Sequence, residues 1–144
     1  MARVLVVDDE PDVLLLCRVN LRHAGHEVFE ASDGERGLEL AREVRPDAVV
    51  IDLMLPTMDG FELLRTLDID RPNADAPLLV LTAKAREADR VRCLRAGADA
   101  FVTKPFVPDA LVATIEALVA MDPADRAAKR AVERAAAEAE ERGG

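Results

Sequence analysis

Tryptophan and tyrosine are absent from the 144 residues, and four phenylalanines make up the whole aromatic content of 3%. The stacking platforms on which single-stranded nucleic acids are held are therefore missing. Basic residues are outnumbered 28 to 19, and the resulting formal charge of -9 repels phosphate backbones, so direct nucleic-acid binding by this chain is not expected. Two cysteines, Cys17 and Cys93, fall inside helical patterns without metal-ligand spacing, which predicts packed, reduced thiols rather than a disulfide or a thiolate metal centre. There is no apolar run of about 18 residues and no charged, apolar, small-residue leader at the start. These absences predict a cytoplasmic protein that does not engage a membrane. No internal repeat is visible either.

Half of the residues are hydrophobic, and a chain of this length buries roughly two thirds of its unfolded surface in one core. The stretch from Ala48 to Ile51 is uninterrupted apolar sequence with three β-branched members, as in a central parallel strand buried on both faces, and Asp52 ends it. Arg3 to Val7, His26 to Ala31, Leu78 to Leu81 and Phe101 with Val102 read as further strands. Between them lie helical patterns: Pro11 to Ala24, stopped by Gly25; a run opened by Asp33 and Gly34; one after Gly60; and a weaker one closed by Gly97. Leu111, Ile115 and Leu118 put an apolar stripe on a fifth helix, and Arg71 to Pro77 reads as a polar loop. Alternating strands and helices imply a doubly wound α/β fold with a five-stranded parallel sheet.

Composition divides the chain into residues 1–120 and an extension at 121–144. The extension holds eight Ala, five basic and six acidic side chains, with Val132 as its one large aliphatic residue after Met121. Its helix propensity is high but its apolar area is small, so weak docking on the domain is expected. Arg126, Lys129, Arg130 and Arg134 share one helical face. Three readings are open: a solvated linker helix, a basic stripe for an acidic partner, or a thin Ala-rich seam.

In a doubly wound sheet the loops after strands 1, 3, 4 and 5 meet along one edge, which gathers Asp8, Asp9, Asp52, Thr82 and Lys104. Each alone reads more simply as a cap or a solvated side chain. Two carboxylates about 4 Å apart repel by roughly 4 kcal/mol at an effective dielectric of about 20, so such a cluster calls for a cation. Hard oxygen donors in an open pocket favour magnesium completed by a substrate phosphate. An aspartate ionised at neutral pH can attack phosphorus without a general base, while a lysine, a hydroxyl and the metal neutralise the equatorial oxygens.

Five ordered blocks carry a resemblance: Val6 to Glu10, Asp52 to Gly60, Leu81 to Lys84, Gly97 to Asp99, and Phe101 to Phe106. Over residues 1 to 120 the chain resembles the receiver domain of two-component response regulators. The resemblance implies a flavodoxin-like sheet of strand order 2-1-3-4-5 with five flanking helices, to which the C-terminal helix is an addition. It implies that Asp52 is the phospho-acceptor, charged by a sensor histidine kinase or a histidine phosphotransfer protein. Asp8, Asp9, Asp52 and the Met54 carbonyl would hold Mg2+, Thr82 and Lys104 would contact the phosphoryl group, and the Lys104–Pro105 peptide would be cis. Thr82 and Phe101 match the family's switch pair, although Phe101 lacks the hydroxyl of the commoner tyrosine.

The expected protein is a single-domain response regulator, not an enzyme beyond its own phosphoryl transfer and hydrolysis, that signals to an output protein as a monomer or weak dimer. An alternative is the receiver part of a DNA-binding transcriptional regulator. A haloacid-dehalogenase-like phosphohydrolase is a remote alternative. That family separates its two leading aspartates by one residue and adds an acidic pair after the lysine, whereas Asp8 and Asp9 are adjacent and Asp109 alone follows Lys104 closely.

Overall fold

The computed structural model describes residues 1–71, 75–84 and 86–143. Among these residues, five parallel strands pair in the order β2-β1-β3-β4-β5: β1 (Arg3–Val7), β2 (Glu27–Ala31), β3 (Ala48–Ile51), β4 (Leu78–Thr82) and β5 (Ala100–Thr103). The helices are α1 (Pro11–His23), α2 (Gly34–Val44), α3 (Gly60–Ile69), α4 (Glu87–Arg95), α5 (Pro108–Ala120) and α6 (Pro123–Gly143). The doubly wound reading from the strand and helix patterns is correct, with strand boundaries that move by a residue or so.

Local chemistry accounts for where the helices begin. Pro11 and Pro108 stand in the first turns of α1 and α5, where a missing N–H costs nothing. Asp33 accepts a hydrogen bond from the Arg36 N–H at 2.9 Å to open α2, and Asp59 accepts from Glu62 at 3.0 Å to open α3. Beyond α4, Gly97 takes a φ of 111°, a conformation that an L side chain rarely adopts.

The core forms two layers, one on each face of the sheet. Alternate strand residues Val4, Val6, Val50, Leu79 and Leu81 pack against Cys17 and Leu21 of α1 and Leu111, Ile115 and Leu118 of α5. On the other face, Leu5, Val7, Val49, Ile51 and Val80 pack against Leu63, Leu64 and Leu67 of α3 and Cys93 of α4. Burial of each such side chain contributes about 1.5–3 kcal/mol, so this double layer fixes strand order and, with it, which strand ends meet. No helix among the described residues is long and apolar enough to cross a membrane.

The extension departs from its expected weak docking. Helix α6 packs along α4, Arg126 is 4% exposed and Ala137 1%. Two residues of its basic face, Arg126 and Arg130, meet the domain's carboxylates rather than solvent, while Arg134 stays exposed. Arg126 pairs with Asp75 at 3.2 Å, and Arg130 pairs with Asp99 at 2.5 Å. Apolar content understates docking when buried ion pairs supply the contact. Of the predicted polar loop, residues 72–74 lie outside the described residues. Arg71, at its start, is largely buried and pairs with Asp68 at 2.7 Å and Asp99 at 3.2 Å.

Candidate functional site

The carboxyl ends of β1, β3 and β5 meet on an acidic cluster. The Asp52 N–H donates to the Val7 carbonyl at 3.0 Å, which seats the residue after β3 directly beside Asp8. Gly60 permits this packing, because a Cβ there would overlap the Asp52 carbonyl and the Leu53 Cα where the start of α3 crosses the strand end. Asp8, Asp9, Glu10 and Asp52 each offer a carboxylate oxygen within 4.8 Å of the others. Asp8 and Asp52 are 1% and 4% exposed, whereas Asp9 and Glu10 face solvent.

Lys104, just beyond β5, reaches into this cluster. Its Nζ lies 2.8 Å from Asp8, 2.9 Å from Asp52 and 3.0 Å from Glu10, with the side chain 10% exposed. Burial alone would lower the lysine's pKa, but hydrogen bonds to the three carboxylates outweigh it and hold the ammonium above its ordinary range. Burial raises the Asp8 carboxyl above its ordinary 3.8, and the Lys104 ammonium and the Glu10 N–H, which donates to Oδ1 at 2.9 Å, offset part of that rise. The Lys104–Pro105 peptide is cis.

Met54, Thr82 and Phe101 stand outside the four-carboxylate cluster. The Met54 N–H donates to Asp52 Oδ1 at 3.2 Å, which ties the turn after β3 to the Asp52 carboxylate. Thr82 ends β4 fully buried, its Oγ1 accepting from the Lys84 N–H at 3.2 Å and its carbonyl accepting from the Lys104 N–H at 2.9 Å. Phe101 is half-buried on β5, packed against the α3 and α4 side of the core. One member was missed from sequence. Glu10 is a third partner of Lys104, and the signal was present in the unbroken Asp8-Asp9-Glu10 run.

An open groove of about 410 Å³ adjoins the cluster, lined by Asp12, Val13 and Leu16 of α1 and by Lys104, Pro105 and Phe106. Beside it, the outer face of α1 exposes Leu15, Leu16 and Val19.

Residues 4–116 match the family model described as the response regulator receiver domain. The chain belongs to the response-regulator receiver family. This receiver is 40% identical over 119 residues to the DNA-binding dual master transcriptional regulator RpaA of Synechocystis, an alignment covering 83% of this chain and 49% of that protein. The chain thus spans about half the length of RpaA and of other DNA-binding relatives it matches. It is also 38% identical over 120 residues to protein PilH of Pseudomonas aeruginosa, covering 83% of this chain and 99% of PilH. Among solved structures, a two-component response regulator of the LuxR family from Aurantimonas is similar at 38% identity with a TM-score of 0.73, covering 94% of this receiver and 99% of that chain.

Proposed function

We propose that Asp52 accepts a phosphoryl group from a sensor histidine kinase or histidine phosphotransfer protein in a magnesium-dependent reaction, and that the aspartyl phosphate is the signal. The observation carrying this reading is the seating of Lys104 Nζ within 2.9 Å of both Asp8 and Asp52 inside a four-carboxylate cluster. One ammonium against four carboxylates leaves excess negative charge on hard oxygen donors, which is the donor set a magnesium ion takes. Asp8, Asp9, Asp52 and the Met54 carbonyl are the groups that would hold it. When bound, it supplies charge neutralisation for the phosphoryl oxygens.

In the transfer, an Asp52 carboxylate oxygen forms a bond to phosphorus as the bond from phosphorus to the donor imidazole nitrogen breaks, and the electron pair leaves with the imidazole. The product is a mixed anhydride. Lys104, already held at the acceptor oxygen, pairs with the incoming phosphoryl charge. The Thr82 hydroxyl turns from the Lys84 N–H toward the phosphoryl oxygens, and Phe101 follows the space so vacated. That readout is of shape and burial, since Phe101 has no hydroxyl. The groove at Phe106 and the exposed Leu15, Leu16 and Val19 of α1 suit an apolar donor helix placed beside Asp52.

The chain's chemistry is confined to its own phosphorylation and dephosphorylation, and it acts as a stand-alone regulator on a protein partner. The match over nearly all of PilH supports that role, and the charge of -9 disfavours nucleic-acid contact by this segment. The half-length matches to RpaA and similar proteins favour a second reading, the receiver half of a DNA-binding regulator. The reaction is tested by intact mass spectrometry after acetyl phosphate and magnesium. One base-labile phosphate is expected, and Asp52→Asn should abolish it. Phosphate found on Ser32 or Thr57 would overturn the assignment.

A further inference from the structure

Arginines from three helices gather around two adjoining hollows on the side of the sheet that α3 and α4 cover. The first, of about 180 Å³, is lined by Phe61 and Arg65 of α3 and by Arg92, Arg95 and Ala96 at the end of α4. The second, of about 240 Å³, is lined by Arg95 again, by Arg130 and Arg134 of α6, and by Asp68 and Gly97 among others. Arg95 is the wall they share. None of the four carboxylates around Lys104 lines either hollow, so this is a separate place on the molecule.

Charge is unevenly matched there, in a chain whose net charge is -9. The acids nearby are engaged: Asp68 with Arg71 at 2.7 Å, Asp99 with Arg71 and Arg130, and Glu138 and Glu141 with Arg95 at 2.9 and 3.6 Å. Among the described residues this leaves Arg65 of α3, Arg92 of α4 and Arg134 of α6, all exposed, without an ion pair. Arg92 is nonetheless held in place. Its guanidinium stacks over the Phe61 ring, 3.6 Å from the centroid, a cation–π contact that fixes its plane and consumes none of its N–H donors. Arginine near the end of a helix ordinarily complements the helix dipole, which accounts for Arg92 and Arg95 on α4. It does not account for Arg65 or Arg134, which stand in the middle of α3 and α6.

Guanidinium groups keep their charge in proteins, so crowding of this kind is relieved by an anion rather than by deprotonation. Their planar forks match phosphate oxygens two at a time. Hollows of this size take a small molecule rather than a protein element, and two of them joined by one arginine suit linked phosphates. We propose that the hollows walled by Arg65, Arg92, Arg95 and Arg134 bind a small oligophosphate, either free or as the phosphate tail of a nucleotide. Because its ligands come from α3, α4 and α6, the bound anion ties the extension to the receiver. Binding there needs neither Asp52 nor magnesium, so this site and the function proposed above fail separately.

The probes are tripolyphosphate, adenosine triphosphate and orthophosphate, each titrated calorimetrically into the full chain in metal-free buffer at about 150 mM salt. Tripolyphosphate should bind at one site and more tightly than orthophosphate. Arg65→Gln with Arg92→Gln should weaken it about tenfold or more, and Arg134→Gln, which breaks no ion pair and no stack, about threefold or more. Arg22→Gln, an exposed change on α1 across the sheet, and Asp52→Asn should not weaken it. Adenosine triphosphate binding more tightly than tripolyphosphate assigns the site to a nucleotide, and equal or weaker binding assigns it to a free oligophosphate. The proposal is overturned by no saturable binding of either, or by tripolyphosphate binding no more tightly than orthophosphate. An equal loss in Arg22→Gln would also overturn it, by making the attraction diffuse surface charge, as would a loss in Asp52→Asn, by placing the anion at the acidic cluster.

Discussion

Replacing Lys104 by methionine keeps most of the side chain's length while deleting the one cation that sits among Asp8, Glu10 and Asp52 at 2.8 to 3.0 Å. Their oxygens lie within 4.8 Å, and at that separation two like charges repel by roughly 3.5 kcal/mol at an effective dielectric of about 20. Asp8 and Asp52 are both buried, so solvent relieves little of this. Removing one partner of a buried ion pair generally costs about 3–5 kcal/mol, which agrees in size. Lys104→Met should therefore lose about 3 kcal/mol in urea unfolding at pH 7 in metal-free buffer. For a chain of this size that corresponds to a melting point lower by roughly 6–12 °C.

The double variant Lys104→Met with Asp8→Asn should recover at least half of that loss. It removes one of the two buried charges while the amide oxygen still accepts the Glu10 N–H. Magnesium at millimolar concentration should stabilise Lys104→Met by more degrees than wild type, since the repulsion it offsets is larger there. The pH dependence has a definite sign. Asp8 has its folded pKa raised above the ordinary 3.8, so its contribution to stability is present at low pH and is lost as pH rises through that raised value. Lys104, also raised, contributes below the ordinary lysine range and loses its contribution only as pH rises through its own displaced value. The deficit of Lys104→Met should accordingly shrink on acidification from neutral pH. If Lys104→Met unfolds at the wild-type urea concentration, or Asp8→Asn restores nothing, the electrostatic account of the site is wrong.

Gly60→Ala should cost about 1–3 kcal/mol by overpacking against the Asp52 carbonyl, and slow acetyl-phosphate labelling by displacing Asp52, the proposed acceptor; unchanged urea unfolding and labelling would refute it. Burial first, then the nearby carboxylates Asp8 and Asp89, push the Cys17 and Cys93 thiols up to about 12, so a disulfide reagent at pH 8 should label neither in the folded protein and both in concentrated urea. Arg90 already pairs within its own chain, to Glu87 at 2.7 Å and Glu140 at 3.6 Å, so a cross-subunit bridge has to compete with both. Sedimentation of the phosphorylated protein at tens of micromolar should therefore show a monomer, and a salt-sensitive dimer disrupted by Arg90→Ala would count against that.

How much of this was legible in the sequence depends on how far apart the cooperating residues lie. Asp52, Thr82 and Lys104 could be read because a doubly wound sheet brings its strand ends together whatever the side-chain detail, so locating the strands located the site. Glu10 was overlooked because a residue before a helix-opening proline reads as a cap position. The docking of α6 was the larger omission. Alanine and charged residues register as solvated by any measure of apolar periodicity, and that measure is blind to ion pairs made across the fold. Asp99 shows why the order of inference matters. Locally it is a turn residue before β5, yet β4 and β5 are neighbours, and its N–H donates to the Leu78 carbonyl while its carboxylate accepts the Leu78 N–H. That pairing buries a carboxylate at the sheet's edge, where one arginine, Arg71, comes from the receiver and a second, Arg130, comes from the extension. A buried acid with a vacancy for a second cation makes a basic stripe on the following helix an intramolecular clasp rather than a solvated face, and that vacancy becomes visible only once the strand order is known.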